Sequence, residues 1–406
     1  MSNNIMQKKN EVTYYFSGAY SQELKIELNV DQLFTIYHEK KLVEKIIKYK
    51  REHPEYTAKL MLDSGAFTLY QNSLKKGHVL TDEEMQAYVD EYLAFLNEWG
   101  DDLTCFVAVD TVPNPEDVDQ TFAQKTWDNY LYMYSKLRPE IRDKLIPVFH
   151  YGEDFKWLKN FLEYRHEDGT PIRYIGLAIS LEGTRDVRIT WATKCRKIIN
   201  ESSNPNVMTH AFGVGVKSVL DHIQVTSTDA TSWVKRAAYG MISIDDKTIY
   251  ISDIQKAKFN GSHYTEKSKA YQEEVEKRIT DWGFRVSPDD VTYTVLDDKH
   301  VEFTTSEGKH IEVKEKDPQK LDVTIDNEPF EYELEAALAS DSLWAGTWKC
   351  GQCVLVFGDN NQVSYDNGKC LATNCYARAR FNIMDTINWC DKLRTDSVIG
   401  AKEELW

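Results

Sequence analysis

Between about Val12 and Ser252, short runs rich in β-branched and aromatic residues alternate with segments of helical period. That alternation constrains the fold more than any other feature of the chain, because strands joined by helix-length crossovers pair in parallel. Strands are expected at 12–17, 59–63, 104–110, 145–150, 173–179, 208–214, 223–227 and 249–252, and helices at 30–52, 81–99, 115–137, 153–165, 186–200 and 230–238. The helix at 81–99 has the clearest signal. Thr81-Asp-Glu-Glu84 reads as a capping box, and Tyr88, Tyr92, Leu93 and Leu96 form an apolar stripe behind it. Eight strands in roughly 240 residues match a TIM barrel, for which about 250 is typical. The expected fold class is therefore α/β, a (β/α)8 TIM barrel over 1–260 with a small β-rich insertion and a C-terminal zinc-binding module.

The pattern changes after residue 253. Residues 261–288 read as a helical connector, with an amphipathic helix at 264–283. Residues 289–344 form an acidic β-rich appendage, with Ser306-Glu307-Gly308 and Asp326-Asn327-Glu328 as hairpin turns, and 345–406 form a Cys-rich module ending in a helix at 376–395. Charge follows the same division. The net of −16 argues against a nucleic-acid partner, but sixteen Asp/Glu against five Lys/Arg fall between Asp289 and Asp341, leaving 49 acids and 44 bases elsewhere. A near-neutral barrel can carry a basic groove. The acidic segment is a solvated face, a DNA mimic or a docking surface for a partner. With 42% hydrophobic residues the chain has enough apolar material for a packed core, which excludes a disordered class. No run approaches the roughly 18 apolar residues of a membrane span, and no apolar segment follows Met1-Ser2-Asn3-Asn4. The expectation is a cytoplasmic protein with no membrane partner.

Active sites of TIM barrels lie at the C-terminal ends of the strands, so the polar residues that end each apolar run are the candidates. Asp63 ends Lys59-Leu-Met-Leu-Asp63-Ser-Gly-Ala-Phe67, Asp110 ends Cys105-Phe-Val-Ala-Val-Asp110, and His150 ends Ile146-Pro-Val-Phe-His150. Gly176-Leu177-Ala178, His210-Ala-Phe-Gly213-Val-Gly215 and Val225-Thr-Ser-Thr-Asp229 follow. A lone Asp at a strand end is usually a cap or turn former. Three on one rim can divide into nucleophile and general acid, as retaining glycosyl chemistry requires. Gly213-Val-Gly215 is either a tight turn or a place where backbone approaches a sugar or phosphate. No Lys stands at an expected strand end for Schiff-base chemistry, and no phosphate-binding or dinucleotide glycine motif is present.

Asp63-Ser-Gly-Ala-Phe67 resembles the Asp-Ser-Gly-Gly-Phe motif of the tRNA-guanine transglycosylases. The resemblance spans about residues 12–240 and keeps the order of motifs. It implies that Asp63 is the general acid/base, that Asp110 reads the guanine edge, and that Asp229 is the nucleophile. The family's Gln on the next strand is His150 here, its Gly-Gly-Leu-Ala-Val-Gly is similar to Ile175-Gly-Leu-Ala-Ile-Ser180, and its Met-Gly-Val-Gly becomes Phe212-Gly-Val-Gly215. The Pro-Thr-Arg element that follows the nucleophile of the tRNA enzymes is missing around Asp229-Ala-Thr-Ser232-Trp233. In this the chain is more similar to the DNA-acting branch, the 7-deazaguanine DNA transglycosylases of phages and bacterial genomic islands. The implied reaction exchanges guanine in duplex DNA for a free 7-deazaguanine base such as 7-cyano-7-deazaguanine. The target guanine is flipped out, with Phe67, Tyr151 or Trp233 stacking on it. Asp110, His150, Gly176, Leu177, Ala178, His210, Gly213 and Gly215 would contact the substrate. Three alternatives stay open: a tRNA-guanine transglycosylase, an idle nucleic-acid-binding subunit, and a glycoside hydrolase acting on sugars. Assembly as a homodimer is also open.

Five of the seven cysteines fall in the last 57 residues. Cys350-Gly-Gln-Cys353, then Cys370 and Cys375, read as four thiolate ligands of structural Zn²⁺, or as free buried thiols. The tRNA enzymes' own zinc spacing, Cys-x-Cys-x-x-Cys plus a His, is not present, so ligands cannot be copied from it. Cys390 is a reserve ligand, and Cys105 and Cys195 read as core.

Overall fold

Nine short strands, β1 (Thr13–Ser17), β2 (Gln32–Thr35), β3 (Leu60–Asp63), β4 (Cys105–Val107), β5 (Leu145–Ile146), β6 (Val148–His150), β7 (Tyr174–Ala178), β8 (Met208–Ala211) and β9 (Ser227–Ala230), form one sheet. Its order is β5-β4-β3-β2-β1-β9-β8-β7-β6, parallel throughout. The two end strands are halves of one run broken at Pro147, which has no N–H to give a ladder. One half pairs with β4 and the other with β7, so this run brings the sheet edges together in a nearly closed, TIM-like barrel. The computed structural model describes residues 12–18, 20–111, 119, 121–179, 183–252, 263–286, 292–297, 300–304, 310–317, 320–325, 327–330, 354–357, 363–366, 369–372 and 374–396. The chain divides into two units, 1–231 with 389–406, and 232–388.

Helices α1 (Gln22–Glu27), α2 (Ile36–Glu52), α3 (Ala66–Lys75), α4 (Asp82–Trp99), α5 (Thr121–Lys136), α6 (Phe155–Glu163), α7 (Arg185–Asn200) and α8 (Lys217–Leu220) lie between the barrel strands. The capping box of α4 is formed: Glu84 N donates to Thr81 Oγ1 at 3.2 Å and Thr81 N donates to Glu84 Oε2 at 2.9 Å. Alternate residues of each strand face inward. Tyr15, Leu33, Met61, Cys105, Val107, Ile146, Val148 and Tyr174 pack as one interior cluster. Burial pushes the Cys105 thiol up to about 12, and Cys195 is fully buried, so both are core thiols.

Three strand expectations need correction. Residues 32–35 are a strand and not the start of a helix, because Leu33 takes an interior position while Gln32 is buried with its Nε2 donating to Tyr56 Oη at 2.6 Å. The barrel strand expected at 223–227 lies at Ser227–Ala230, which moves Asp229 from the following loop into the strand. The stretch at 249–252 is not a barrel strand. Ile249 and Tyr250 belong to β11 (Lys247–Tyr250), which pairs antiparallel with β10 (Met241–Ile244) in a hairpin of the second unit. Asp245 and Asp246 make that turn with φ of 49° and 65°.

In the second unit, α9 (Ser232–Ala238) precedes the hairpin and α10 (Lys269–Asp281) follows it. Strands β12 (Thr292–Asp297), β13 (His300–Thr304), β14 (His310–Asp317), β15 (Lys320–Ile325) and β16 (Glu328–Phe330) make an antiparallel sheet in sequence order. A further hairpin, β17 (Val354–Phe357) with β18 (Val363–Asp366), precedes α11 (Cys375–Asp396). Ile242, Ile249, Ile251, Val275, Ile279, Phe284, Leu371 and Phe381 form the core of this unit. Asp385 closes the β10–β11 turn by accepting from Asp245 N at 2.8 Å and Asp246 N at 3.2 Å.

Candidate active site

Period-two alternation places the last inward residue of several strands at one end of the barrel. Asp229 is in register with Tyr15, and Asp63 with Thr35. Three donors converge on Asp229: Gly213 N reaches Oδ1 at 2.8 Å, Ser17 Oγ reaches Oδ2 at 2.9 Å, and His210 Nε2 lies 3.3 Å from Oδ1. The His210 tautomer follows from its neighbours. Nδ1 meets Ser227 Oγ at 2.5 Å, and that hydroxyl also bonds Tyr174, so Nδ1 can accept and Nε2 carries the proton toward the carboxylate. Gly213 has φ of 67°, which turns its N–H into the site.

Asp63 ends β3 and is followed by a turn that only glycine suits. Gly65 has φ of 70°, and a Cβ there would stand 2.6 Å from both Thr35 Oγ1 and Tyr37 Cβ. Gly65 N donates to Asp63 Oδ2 at 3.0 Å. Helix α4 fastens the segment from outside, with Tyr88 Oη donating to Ser64 O at 2.5 Å and Tyr92 Oη to Leu62 O at 3.3 Å. Burial, then the like charges of Asp110 and Asp229, push Asp63 up to about 7 against the opposing backbone bonds from Gly65 and Ser64. A carboxyl that exchanges its proton near neutrality suits a group that acts first as acid and then as base.

Asp110 and His150 meet directly, with Nε2 2.7 Å from Oδ2. On the other side of the ring, Nδ1 lies 2.8 Å from Glu153 Oε1. Burial disfavours the charged ring, but the two carboxylates outweigh it and raise His150 to about 9. Sequence reasoning missed Glu153. The only signal for it was the His-x-Gly-Glu spacing past the strand end, with Gly152 at φ of 95° folding the turn back.

These groups share a cavity of about 380 Å³, within the size range of small-ligand sites. Asp63, Asp110, His150, Asp229, Phe67, Ala178 and Gly213 line it, all singled out by the sequence, together with Tyr151. Leu33, Ala66, Val107, Val148, Ile179 and Phe212 complete the wall. Phe67 and Tyr151 are 57% and 41% exposed, which leaves two aromatic faces open at the site. The remaining candidates lie off the wall. Gly176 is inward, and a Cβ there would meet Phe212 Cε2 at 2.5 Å, so its role is to admit that ring. Gly176 N donates to Pro147 O at 2.8 Å and Leu177 O accepts from Phe212 N at 3.1 Å, so these groups belong to the sheet. Leu177 and Gly215 are buried, His210 supports Asp229 from behind, and Trp233 is buried in the second unit with its carbonyl accepting from Asn382 Nδ2 at 3.0 Å. Ser17 was also missed, although it ends the apolar run Tyr14-Tyr15-Phe16.

Cys350 and Cys353 lie outside the described residues. Cys370 is buried with Sγ 3.2 Å from Val286 O, and Cys375 is half-buried. Both thiols neighbour the buried Arg378 guanidinium, and a cation beside them suits thiolate ligands. Among the described residues no three His, Cys, Asp or Glu side chains converge as a metal would need. Nor, among them, is any helix long and apolar enough to cross a membrane. The chain matches no protein-family model and no curated protein.

Proposed function

We propose that the chain is a DNA-guanine transglycosylase that exchanges guanine in DNA for a free 7-deazaguanine base. One observation carries the reading: a single barrel-end cavity holds Asp63, poised near neutrality, together with Asp229, oriented by three donors. In the proposed reaction the Asp229 carboxylate attacks C1′ of the target deoxynucleotide. The C1′–N9 bond breaks, its electron pair leaves with guanine, and Asp63 supplies the proton. An aspartyl-deoxyribosyl ester remains. The incoming base then loses its N9 proton to Asp63, attacks C1′ and releases Asp229, so the cycle needs no external energy source.

Extruding the target from the stack costs a few kcal/mol, and the open faces of Phe67 and Tyr151 supply stacking partners. DNA is preferred over tRNA because the Pro-Thr-Arg context is missing after Asp229. We assign Zn²⁺ a structural role, held by Cys350, Cys353, Cys370 and Cys375, with no step of the reaction passing through it. The test is covalent capture: wild type quenched with duplex DNA should retain the strand through denaturation, and Asp229→Ala should not.

A further inference from the structure

We infer that Glu153 is a positioning residue which, through the His150 ring, fixes the Asp110 carboxylate against the edge of a bound base. For the identity of the ligand this rests on the base-exchange reading above; the clamp itself does not. Both oxygens of Glu153 are engaged within its own turn. Oε1 meets His150 Nδ1 at 2.8 Å and Oε2 accepts from His150 N at 3.2 Å, while Glu153 N donates back to His150 O at 3.2 Å. The Glu153 side chain is 1% exposed, so this carboxylate does not face the ligand.

With Nδ1 bonded to Glu153 and Nε2 to Asp110, His150 has no ring donor left for a base. Asp110 is the reader. Its Oδ2 is taken by the ring, whereas among the described residues Oδ1 meets the long 3.5 Å contact to Ser64 Oγ and keeps acceptor capacity. A carboxylate fixed in this way selects a base edge of adjacent N–H donors, as guanine and 7-deazaguanines present. It rejects an edge with a ring lone pair, such as that of adenine, because two acceptors would face each other unpaired. Among the described residues the charged groups facing the ring are Asp110 after β4 and Glu153 after β6; on β7 its register partner is Ala178, which does not titrate.

The experiment uses the full chain and the variant Glu153→Gln, which keeps size and removes charge. The expected result is a roughly tenfold higher KM for the free base with a smaller change in kcat. Removing one of the two carboxylates also lets the ring lose its proton at lower pH, so the alkaline limb of kcat/KM should move down by about one pH unit. Nitrogen-15 histidine NMR reads the clamp without any turnover. His150 in wild type should stay doubly protonated past pH 8, and its titration should fall by about one unit in the variant. An unchanged titration with an unchanged KM-to-kcat balance would overturn the inference, as would a lower melting temperature alone. If the variant fails to fold, the wild-type titration decides, since an ordinary value of about 6.5 overturns the clamp. A wild type that shows the clamp but exchanges no base would count against the base-exchange reading and leave the positioning role in place.

Discussion

Asp63 and Asp229 occupy one cavity in unlike surroundings, and that difference gives each its proposed part. Replacing Asp229 with Ala should lower base exchange by at least about a thousandfold without unfolding the chain, as measured by exchange rate and circular dichroism. Asp63 yields a prediction with a definite sign. Its folded value of about 7 exceeds the ordinary 3.8, so the folded state holds the proton more tightly than the unfolded state. The associated stability is full below about pH 4 and is lost as pH rises to 7. Asp63→Asn removes this loss, so its melting temperature should gain on wild type progressively from pH 4 to 7 while exchange activity disappears. A difference independent of pH would contradict the assignment. Asp63, Asp110 and His150 were legible in the sequence because each ends an apolar run. Glu153 and Ser17 were not, because their importance arises from partners one turn back or 212 residues away.

At the scale of elements, the barrel was legible where strands were long enough to show their composition. The four-residue strand at Gln32–Thr35 was absorbed into the helical period of α2, which starts at the next residue. The run at 247–250 looked like a barrel strand because a hairpin strand and a barrel strand share β-branched composition; only pairing distinguishes them. The turn after β3 is sterically demanding. Gly65→Ala combines a left-handed backbone with a Cβ 2.6 Å from Thr35 Oγ1, so it should cost about 2 kcal/mol or more in a denaturant titration. Exchange should fall with it, since the same turn donates to Asp63. Gly176→Ala should act differently. Its Cβ would displace Phe212 from the cavity wall and raise KM for the base more than it lowers stability.

For the whole molecule, the acidic excess between residues 289 and 341 makes net charge a poor guide to partners. The proposed activity predicts DNA binding that weakens steeply with salt, because released counterions would supply the affinity; binding insensitive to salt would count against it. Elemental analysis should find one zinc per chain, and metal-free protein with unchanged melting would sink the four-cysteine site.

The most direct measurement offers labelled guanine, then 7-cyano-7-deazaguanine, to purified protein with duplex DNA and, in parallel, with tRNA. The account predicts label in DNA with wild type and none with Asp229→Ala. Exchange that survives Asp229→Ala would contradict the mechanism, exchange confined to tRNA would contradict the polymer, and exchange into neither would contradict the proposed activity.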